Sequence, residues 1–596
     1  MIGNCRTAAL VSSHGSIDWC CWPNFDSPSV FAAILDSARG GSFSLTPVGA
    51  PRGRQTYASD TNVLETVFET AEGAARLVDC FPVREESAVR GELWPDQEIL
   101  RIVEGVSGHV DFEAVFAPRP EYGAKAVRFE KRGRFGTACT FGKHLLLLHC
   151  EVELRARDAA SGPELRGSFR VRAGERVVFS LTYSQEAPAV VGPLASEALR
   201  RLEQTKSFWR SWVSQCRHEG PYRDEVRRSA LALKLLTFAP SGAIIAAPTT
   251  SLPEALGGSR NWDYRYCWLR DASFTTRAFL SLGFQEEAKT FMSWTLHATA
   301  LTRPRLQLLY SLYGRAIPKE REIAGLSGYR QSRPVRVGNA ASRQFQLDIY
   351  GETLDGVFQL LPFLERIDSE TRRFVIEKAR AVCELWEQPD EGIWEVRSGR
   401  QHHTHSKALA WVALDRAVRA CRRWKWEAPI EEFEAAAARL RSQIEARGFN
   451  SRLDAYTRTF DGEEVDASLL VLPLVGYCDA SSERMQGTRR AVSQQLSRNG
   501  LVYRYRRDRT RDGLPGGDGA FGLCTFWMAE NLALCGRVDE AKRWFEAVLS
   551  RRNAVQLWSE EIDPETGEFL GNYPQAFTHI GLINAACAIS KASEAR

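Results

Sequence analysis

Three segments of the chain bring acidic, basic and aromatic side chains closer together than a plain connection requires. The first, GGSRNWDYRYCWLRDASF (257–274), interleaves Trp262, Tyr264, Tyr266 and Trp268 with Arg260, Asp263, Arg265, Arg270 and Asp271. A surface strand laced with ion pairs has the same alternation. A sugar subsite calls for the same ingredients, carboxylates and guanidiniums for the hydroxyls and a flat aromatic wall for the C–H face. The second, EGIWEVRSGRQHHTHSKALAW (391–411), sets Glu395 after Trp394 at the end of an extended stretch and ahead of a capped helix. A carboxyl against an indole is partly desolvated, which raises its pKa and suits it to give up a proton as a general acid. His402, His403 and His405 follow, but they lack a second carboxylate or a cysteine at ligand spacing, so structural or substrate hydrogen bonding explains them better than a metal. The third, QLWSEEIDPETGEFLGNYPQAFTHIGLINAA (556–586), places Glu560 and Glu561 before a turn or short hairpin. Alone, such a pair is solvated surface. As partner to Glu395 it supplies the second carboxylate that glycoside hydrolysis requires.

The elements that must position these segments fall into two classes. Up to about residue 195 the pattern has period two, broken every few residues by turn formers: ILRIVEGV (99–106), HVDFEAVFAP (109–118), HLLLLHCEVELRAR (144–157) and SFRVRAGERVVFSLTY (168–183), with Ala-Gly-Glu as a hairpin turn. Residues 121–136 read as loop and edge strand. Many short alternating strands without helices between them predict an antiparallel β-sandwich. At Ser196, a plausible N-cap, SEALRRLEQTKSFWRSWVSQC takes up helical spacing with Leu199, Leu202, Phe208, Trp209 and Trp212, which predicts a helical linker over 196–222. From 223 to 596 helices and long loops dominate. SKALAWVALDRAVRACRRW (406–424) opens on a Ser cap and carries Leu409, Val412, Ala413, Ala417 and Cys421 along one stripe, and IEEFEAAAARLRSQIEARGF (430–449) stops at Gly448. The rhythm of helix, loop, helix predicts a helical toroid or bundle.

Composition narrows the function classes. With 44% hydrophobic and 26% charged residues in 596, the chain has the make-up of a globular protein rather than a fibrous or disordered one. No apolar run reaches the roughly 20 residues a membrane span needs. A net charge of +4, from 78 basic and 74 acidic residues, leaves no footprint for nucleic acid or an anionic membrane. The 14 cysteines include no CxxC pair, and MIGNCRTAALVSSHGSIDW has no export signal, so the expectation is free thiols in the cytoplasm. The abrupt start suggests that a few residues precede Met1. Sixteen tryptophans stand beside 15 Tyr and 30 Phe, enough for both core packing and ligand walls.

NWDYRYCWLRDA, GIWEVR followed by THSKALAWVALDRA, DGLPGGDGAFGLCTFW and SEEIDPETGEFLGNYPQAFTHIGLI together resemble the prokaryotic branch of glycoside hydrolase family 15, which holds glucoamylases, glucodextranases and trehalases. The opening GNCRTAALVSSHGSIDWCCWPNFDSPSVFAAILDSARGGSFSLTP resembles the trehalase-like N-terminal domain of that branch. The resemblance implies a β-sandwich over 1–195, a linking helix and a catalytic (α/α)6 barrel over 223–596. It also implies inverting chemistry, with the general acid at Glu395 and the general base at Glu560, Glu561 being the fallback. In such chemistry the carboxyls stand roughly 6.5–9.5 Å apart, with a water between. Trp268, Arg270 and Asp271 match the motif that lines the non-reducing glucose, and Trp262, Trp394 and Trp558 stand beside these positions as further walls.

The chain departs from the family pattern at Gln556-Leu557-Trp558, where a small residue with aliphatic neighbours is expected, and at Asn4, where an acidic residue is usual. The implied activity is exo-hydrolysis of a small α-glucoside with release of β-D-glucose, trehalose ahead of maltose, malto-oligosaccharides or isomaltose-type sugars. Two rivals are a disaccharide phosphorylase, which would need no base, and a sugar-binding protein, which could spare either Glu. No cofactor is required by the sequence. Phosphate or Mg²⁺ dependence and homo-oligomer formation stay open.

Overall fold

A computed structural model describes residues 1–49, 51–85, 95, 97–185, 196–506, 508–510 and 512–595. The chain divides into two compact units. One is Met1–Gln215 with Glu322–Val335 and Asn553–Gln556; the other is Cys216–Arg321, Arg336–Arg552 and Leu557–Arg596.

The first unit is an antiparallel β-sandwich. Period two is visible in its burial: in Ser42–Pro47 the side chains of Phe43, Leu45 and Pro47 turn inward and those between them outward. Among the described residues, fifteen strands are joined through one long strand, Glu98–Ala117. Its first half pairs with Gly73–Cys80 and Arg176–Ser184, its second with Ser42–Pro47 and Gly162–Arg172, so one strand serves both sheets. The sequence suggested two strands here. The chain instead bends without breaking at Gly105–Gly108, where a Cβ on Gly105 would stand 2.0 Å from the carbonyl oxygen of Arg172.

The turn Ala173-Gly174-Glu175 is likewise no hairpin. The strands it joins pair with opposite halves of Glu98–Ala117, and the turn hydrogen-bonds to Gly105 and Gly108, carrying the chain from one sheet to the other. Phe43, Phe68, Phe112, Phe116 and Phe179 fill the space between the sheets. Arg128–Lys131 is an edge strand, as its sequence suggested. Helix α1 (Ser196–Val213) belongs to this unit: Ala198 and Leu202 pack on Val78, Leu100, Ile102 and Val178, and Arg201 pairs with buried Glu98 at 3.0 Å.

The second unit is a double ring of helices. The outer helices are α2 (Arg223–Leu236), α4 (Gln285–Ala300), α6 (Ser369–Leu385), α8 (Ile430–Arg447), α10 (Glu483–Leu496) and α12 (Val538–Leu549). The inner ring is α3 (Leu269–Leu282), α5 (Asp348–Leu360), α7 (Thr404–Trp424), the short segment Ala467–Leu474 that ends in α9 (Val471–Leu474), α11 (Gly522–Leu534) and α13 (Ala576–Glu594), and α13 against α3 closes it. Sequence separates the rings. In α11, which is mostly apolar, every residue from Gly522 to Ala533 is buried, whereas α12 buries one stripe of Val538, Ala541, Phe545, Val548 and Leu549.

Helix α7 starts earlier than expected, at Thr404; Ser406 lies inside its first turn and is not its cap. Inner-to-outer connections are tight, as at Gly283–Phe284 between α3 and α4. The outer-to-inner connections are long and gather at the N-terminal ends of the inner helices. Segments 237–268, 386–403, 497–521 and 550–575 all end there, bringing the three chemical segments together. Among the described residues no helix is long and apolar enough to cross a membrane.

Candidate active site

The aromatic segment enters as a short strand, Asn261–Asp263, and continues through Cys267–Trp268 into α3. Its alternation separates two jobs. Asp263 and Arg265 turn away from the site and pair at 2.7 Å, both fully buried. Trp262, Tyr264 and Trp268 face a cleft that, its open mouth included, encloses about 730 Å³. Arg270 and Asp271 follow in the first turn of α3 and also line it.

Glu395 sits in a tight turn with φ +58°, not at the end of an extended stretch. Its Oε1 accepts hydrogen bonds from the Trp268 indole N–H at 2.8 Å and from Arg270 Nη2 at 3.2 Å. The expected neighbour, Trp394, turns its N–H to Asp466 (2.9 and 3.0 Å) and meets Phe521 edge-on, while its ring still lines the cleft. Arg270 is gripped by Gln346 at 2.8 Å and lies 3.6 Å from Asp348 and 3.8 Å from Asp271.

Glu560 precedes a hairpin of Glu561–Ile562 and Phe569–Leu570. Tyr264 donates to its Oε1 at 2.7 Å, and Oε2 has no hydrogen-bond partner among the described residues. Gly571, at φ +75°, lets the returning strand pass so close that a Cβ would stand 2.7 Å from Oε2. Burial, reinforced by the neighbouring charge of Glu254, pushes Glu560 up to about 8, and burial pushes Asp271 up to about 7.

The strand begins at Glu561, and the acidic pair divides at that boundary. Glu560 faces the cleft. Glu561 turns inward, fully buried, to Arg504 at 3.0 Å and the Gly519 N–H at 2.6 Å, and does not line the cleft. Trp558 is also outside the wall, buried against Phe569 with ring centroids 5.8 Å apart. Its bulk fills the core where the sequence suggested an acceptor-side wall. Of the predicted site residues, the structure therefore gathers Trp262, Trp268, Arg270, Asp271, Trp394, Glu395 and Glu560 and leaves out Glu561 and Trp558.

Sequence reasoning missed Glu254 and Arg504. Glu254 accepts from the Trp262 indole at 2.8 Å and from Arg504 at 3.0 Å, and Arg504 also pairs with Asp518 at 2.9 Å. Glu254 stands apart from other acidic residues in the chain, and Arg504 is one of five arginines in 504–511, none of which the spacing singles out. Trp262 carries the guanidiniums of Arg336 and Arg397 at 4.8 and 4.6 Å from its ring.

His402 stacks on Phe460, and burial holds His403 and His405 neutral, each pushed down to about 3. Among the described residues the group with metal-ligating spacing is instead Glu72, His109 and Asp111, where both oxygens of Asp111 are taken by Arg170 at 2.7 Å. All 14 cysteines are free.

Known proteins share the organisation of the chain in two parts. Residues 220–587 match glycosyl hydrolases family 15, and residues 1–140 match the trehalase-like N-terminal domain. A trehalase of Mycolicibacterium smegmatis is 36% identical, over 100% of this chain and 91% of its own. A trehalase of Thermoplasma volcanium is 34% identical, over 99% and 93%. An isomaltose glucohydrolase of Kribbella flavida is 27% identical over 58% of this chain and 84% of its own. In fold, the chain superposes on a bacterial glucoamylase complexed with acarbose with a TM-score of 0.71 at 12% identity, covering 99% of this chain and 94% of that one. With a β-sandwich, an (α/α)6 barrel and full-length relatives, the chain belongs to glycosyl hydrolases family 15 and is an O-glycosyl hydrolase.

Proposed function

We propose that the chain hydrolyses trehalose by an inverting, exo-acting mechanism, with Glu395 as general acid and Glu560 as general base. The observation that carries this reading is that both carboxyls open on one cleft while each is held by a different member of one aromatic pair, Trp268 for Glu395 and Tyr264 for Glu560. Glu395 gives its proton to the glycosidic oxygen as the C1–O bond breaks. A water on the opposite face of the ring attacks C1 and passes its proton to Glu560, whose Oε2 is not occupied by a protein donor. Arg270 and Asp271, at the cleft floor, bind hydroxyls of the terminal glucose, while Trp262 and Trp394 wall the cleft. The two carboxyls complete the acid–base chemistry without a cofactor.

Trehalose as substrate is supported by the two full-length relatives named above and by the match of the N-terminal domain. The partial likeness to an isomaltose glucohydrolase keeps isomaltose-type and malto-type glucosides as the second reading. Free cysteines throughout support a reducing, cytoplasmic setting. The test is a panel of trehalose, maltose and isomaltose with the wild type, Glu395→Gln and Glu560→Gln. Trehalose should be turned over fastest, and either substitution should remove most activity from a folded protein. Near-normal turnover in either variant would sink its assigned role.

A further inference from the structure

Glu395 adopts a left-handed backbone, φ +58°, which a residue with a side chain keeps only where its surroundings hold it. Four attachments surround it. Its own N–H reaches the carbonyl of Gly392 at 3.1 Å, and Gly392, at φ +71°, passes so close to His403 that a Cβ would stand 2.7 Å from that ring. Gln344 donates to the carbonyls of Glu395 and Val396 at 3.1 and 3.2 Å. The Arg397 N–H reaches the carbonyl of Asp512 at 2.7 Å. The fourth attachment is the residue before the carboxylate: the Trp394 indole N–H sits between both oxygens of Asp466, 2.9 and 3.0 Å away.

The last of these differs from the others in where it is rooted. Asp466 is buried and caps the inner-ring segment Ala467–Leu470, accepting the Ser468 N–H at 2.8 Å, with Arg458 at 3.9 Å. The Trp394 ring is boxed by Phe521 and Trp527, both at the start of or within α11, at centroid distances of 5.5 and 6.1 Å. The indole therefore cannot swing without leaving the inner ring. Its Cα is one peptide from that of Glu395, so its placement sets where the carboxyl can stand.

We propose that Asp466 is a positioning residue for proton donation, anchoring the strained turn of Glu395 to the inner ring through the Trp394 indole. This rests on reading Glu395 as the general acid. Asp466 does not line the cleft; it acts by keeping the carboxyl within reach of the glycosidic oxygen while Trp268 and Arg270 orient it from the other side. Misplacing an acid by about 1 Å costs on the order of 100-fold in rate, comparable to the 10²–10⁴ that general acid catalysis supplies.

Two substrates separate this role from a structural one. Trehalose needs a proton on its leaving oxygen. In α-glucosyl fluoride the C1–F bond breaks to release fluoride with little help from an acid, while water attack still needs the base. With both substrates, kcat and KM are measured for the wild type, Asp466→Ala, Asp466→Asn, Trp394→Phe and Glu395→Gln. Asp466→Ala should lose about 100-fold in kcat on trehalose, with fluoride turnover close to wild type. Asp466→Asn, which keeps an oxygen for the indole, should recover much of the loss. Trp394→Phe, which keeps the ring but not the N–H, should lose several-fold more on trehalose than on the fluoride, and it decides the matter if Asp466→Ala does not fold. Parallel loss on both substrates, or unchanged trehalose turnover, would overturn the proposal. Glu395→Gln separates the two claims: equal loss on both substrates in that variant would count against Glu395 as the acid, whatever the Asp466 variants do.

Discussion

The rings of Tyr264 and Trp268 meet edge to face, centroids 5.4 Å apart at 75°, and each points its polar end at a different carboxylate. The phenol holds Glu560 at 2.7 Å and the indole holds Glu395 at 2.8 Å. Two carboxylates 165 positions apart in the chain thus share one spacer, because 264 and 268 sit in a single segment running into α3. Preorganisation of this kind is where an enzyme gains most of its orientation advantage.

Tyr264 is therefore expected to act on the base and not on the acid. Tyr264→Phe removes a donor that favours the ionised form of Glu560. Turnover should fall about tenfold or more, as for loss of a buried hydrogen bond to a charged group. The limb of the kcat/KM–pH profile that Glu560 sets should also move to higher pH. A profile that falls in height without moving would show that the phenol only fills space.

Glu560 itself predicts the position of that limb. The base works ionised, and burial with Glu254 nearby pushes it up to about 8. The wild-type kcat/KM–pH profile should therefore carry a limb with its midpoint near 8. Glu254→Gln takes away the neighbouring negative charge and should lower the midpoint. Both are read from kcat/KM measured across the pH range, and a profile with no limb above the ordinary carboxylate range would contradict the buried environment of Glu560.

The same burial links function to stability. A carboxyl whose pKa is raised on folding favours the native state while protonated, and that contribution is lost as pH rises through the folded value. Glu560→Gln is neutral at every pH. Its melting temperature should match the wild type in acid and exceed it increasingly between the ordinary glutamate range and about pH 8. Thermal melts at three pH values check this; a constant difference across them would contradict it.

Trp558 and Glu561 should behave as core residues. Trp558→Ala should cost about 3–5 kcal/mol, as for a buried aromatic, and Glu561→Ala about 1–3 kcal/mol for leaving buried polar partners unmet. Conservative forms, Trp558→Phe and Glu561→Gln, should lower the melting temperature and leave KM for trehalose near wild type. A large KM change in either would return that residue to the cleft wall.

Much of this arrangement is legible in the sequence because its motifs are continuous. The Asn-Trp-Asp-Tyr-Arg-Tyr-Cys-Trp-Leu-Arg-Asp run carries aromatic and charged groups in a fixed order, and the Ser-Glu-Glu pair stands before a recognisable turn. What stays hidden depends on direction and on long-range contact. Whether Glu560 or Glu561 faces the cleft is decided by strand pairing to Ala520–Phe521, which sets the register of the hairpin. The partner of Trp394, Asp466, is 72 positions away, and nothing in either local sequence names the other. In the first unit, Gly105 and Gly108 read as the end of a strand because a bend between sheets and a turn use the same residues.

The central claim, attack on the glucosyl carbon from the face opposite the leaving sugar, is tested most directly by proton NMR of trehalose during its first turnovers. Inversion converts the attacked ring to β-glucose and leaves the departing ring α, so the two anomers should appear in equal amounts before mutarotation. Release of α-glucose alone would mean retention, and would contradict the assignment of Glu560 as a base acting through water.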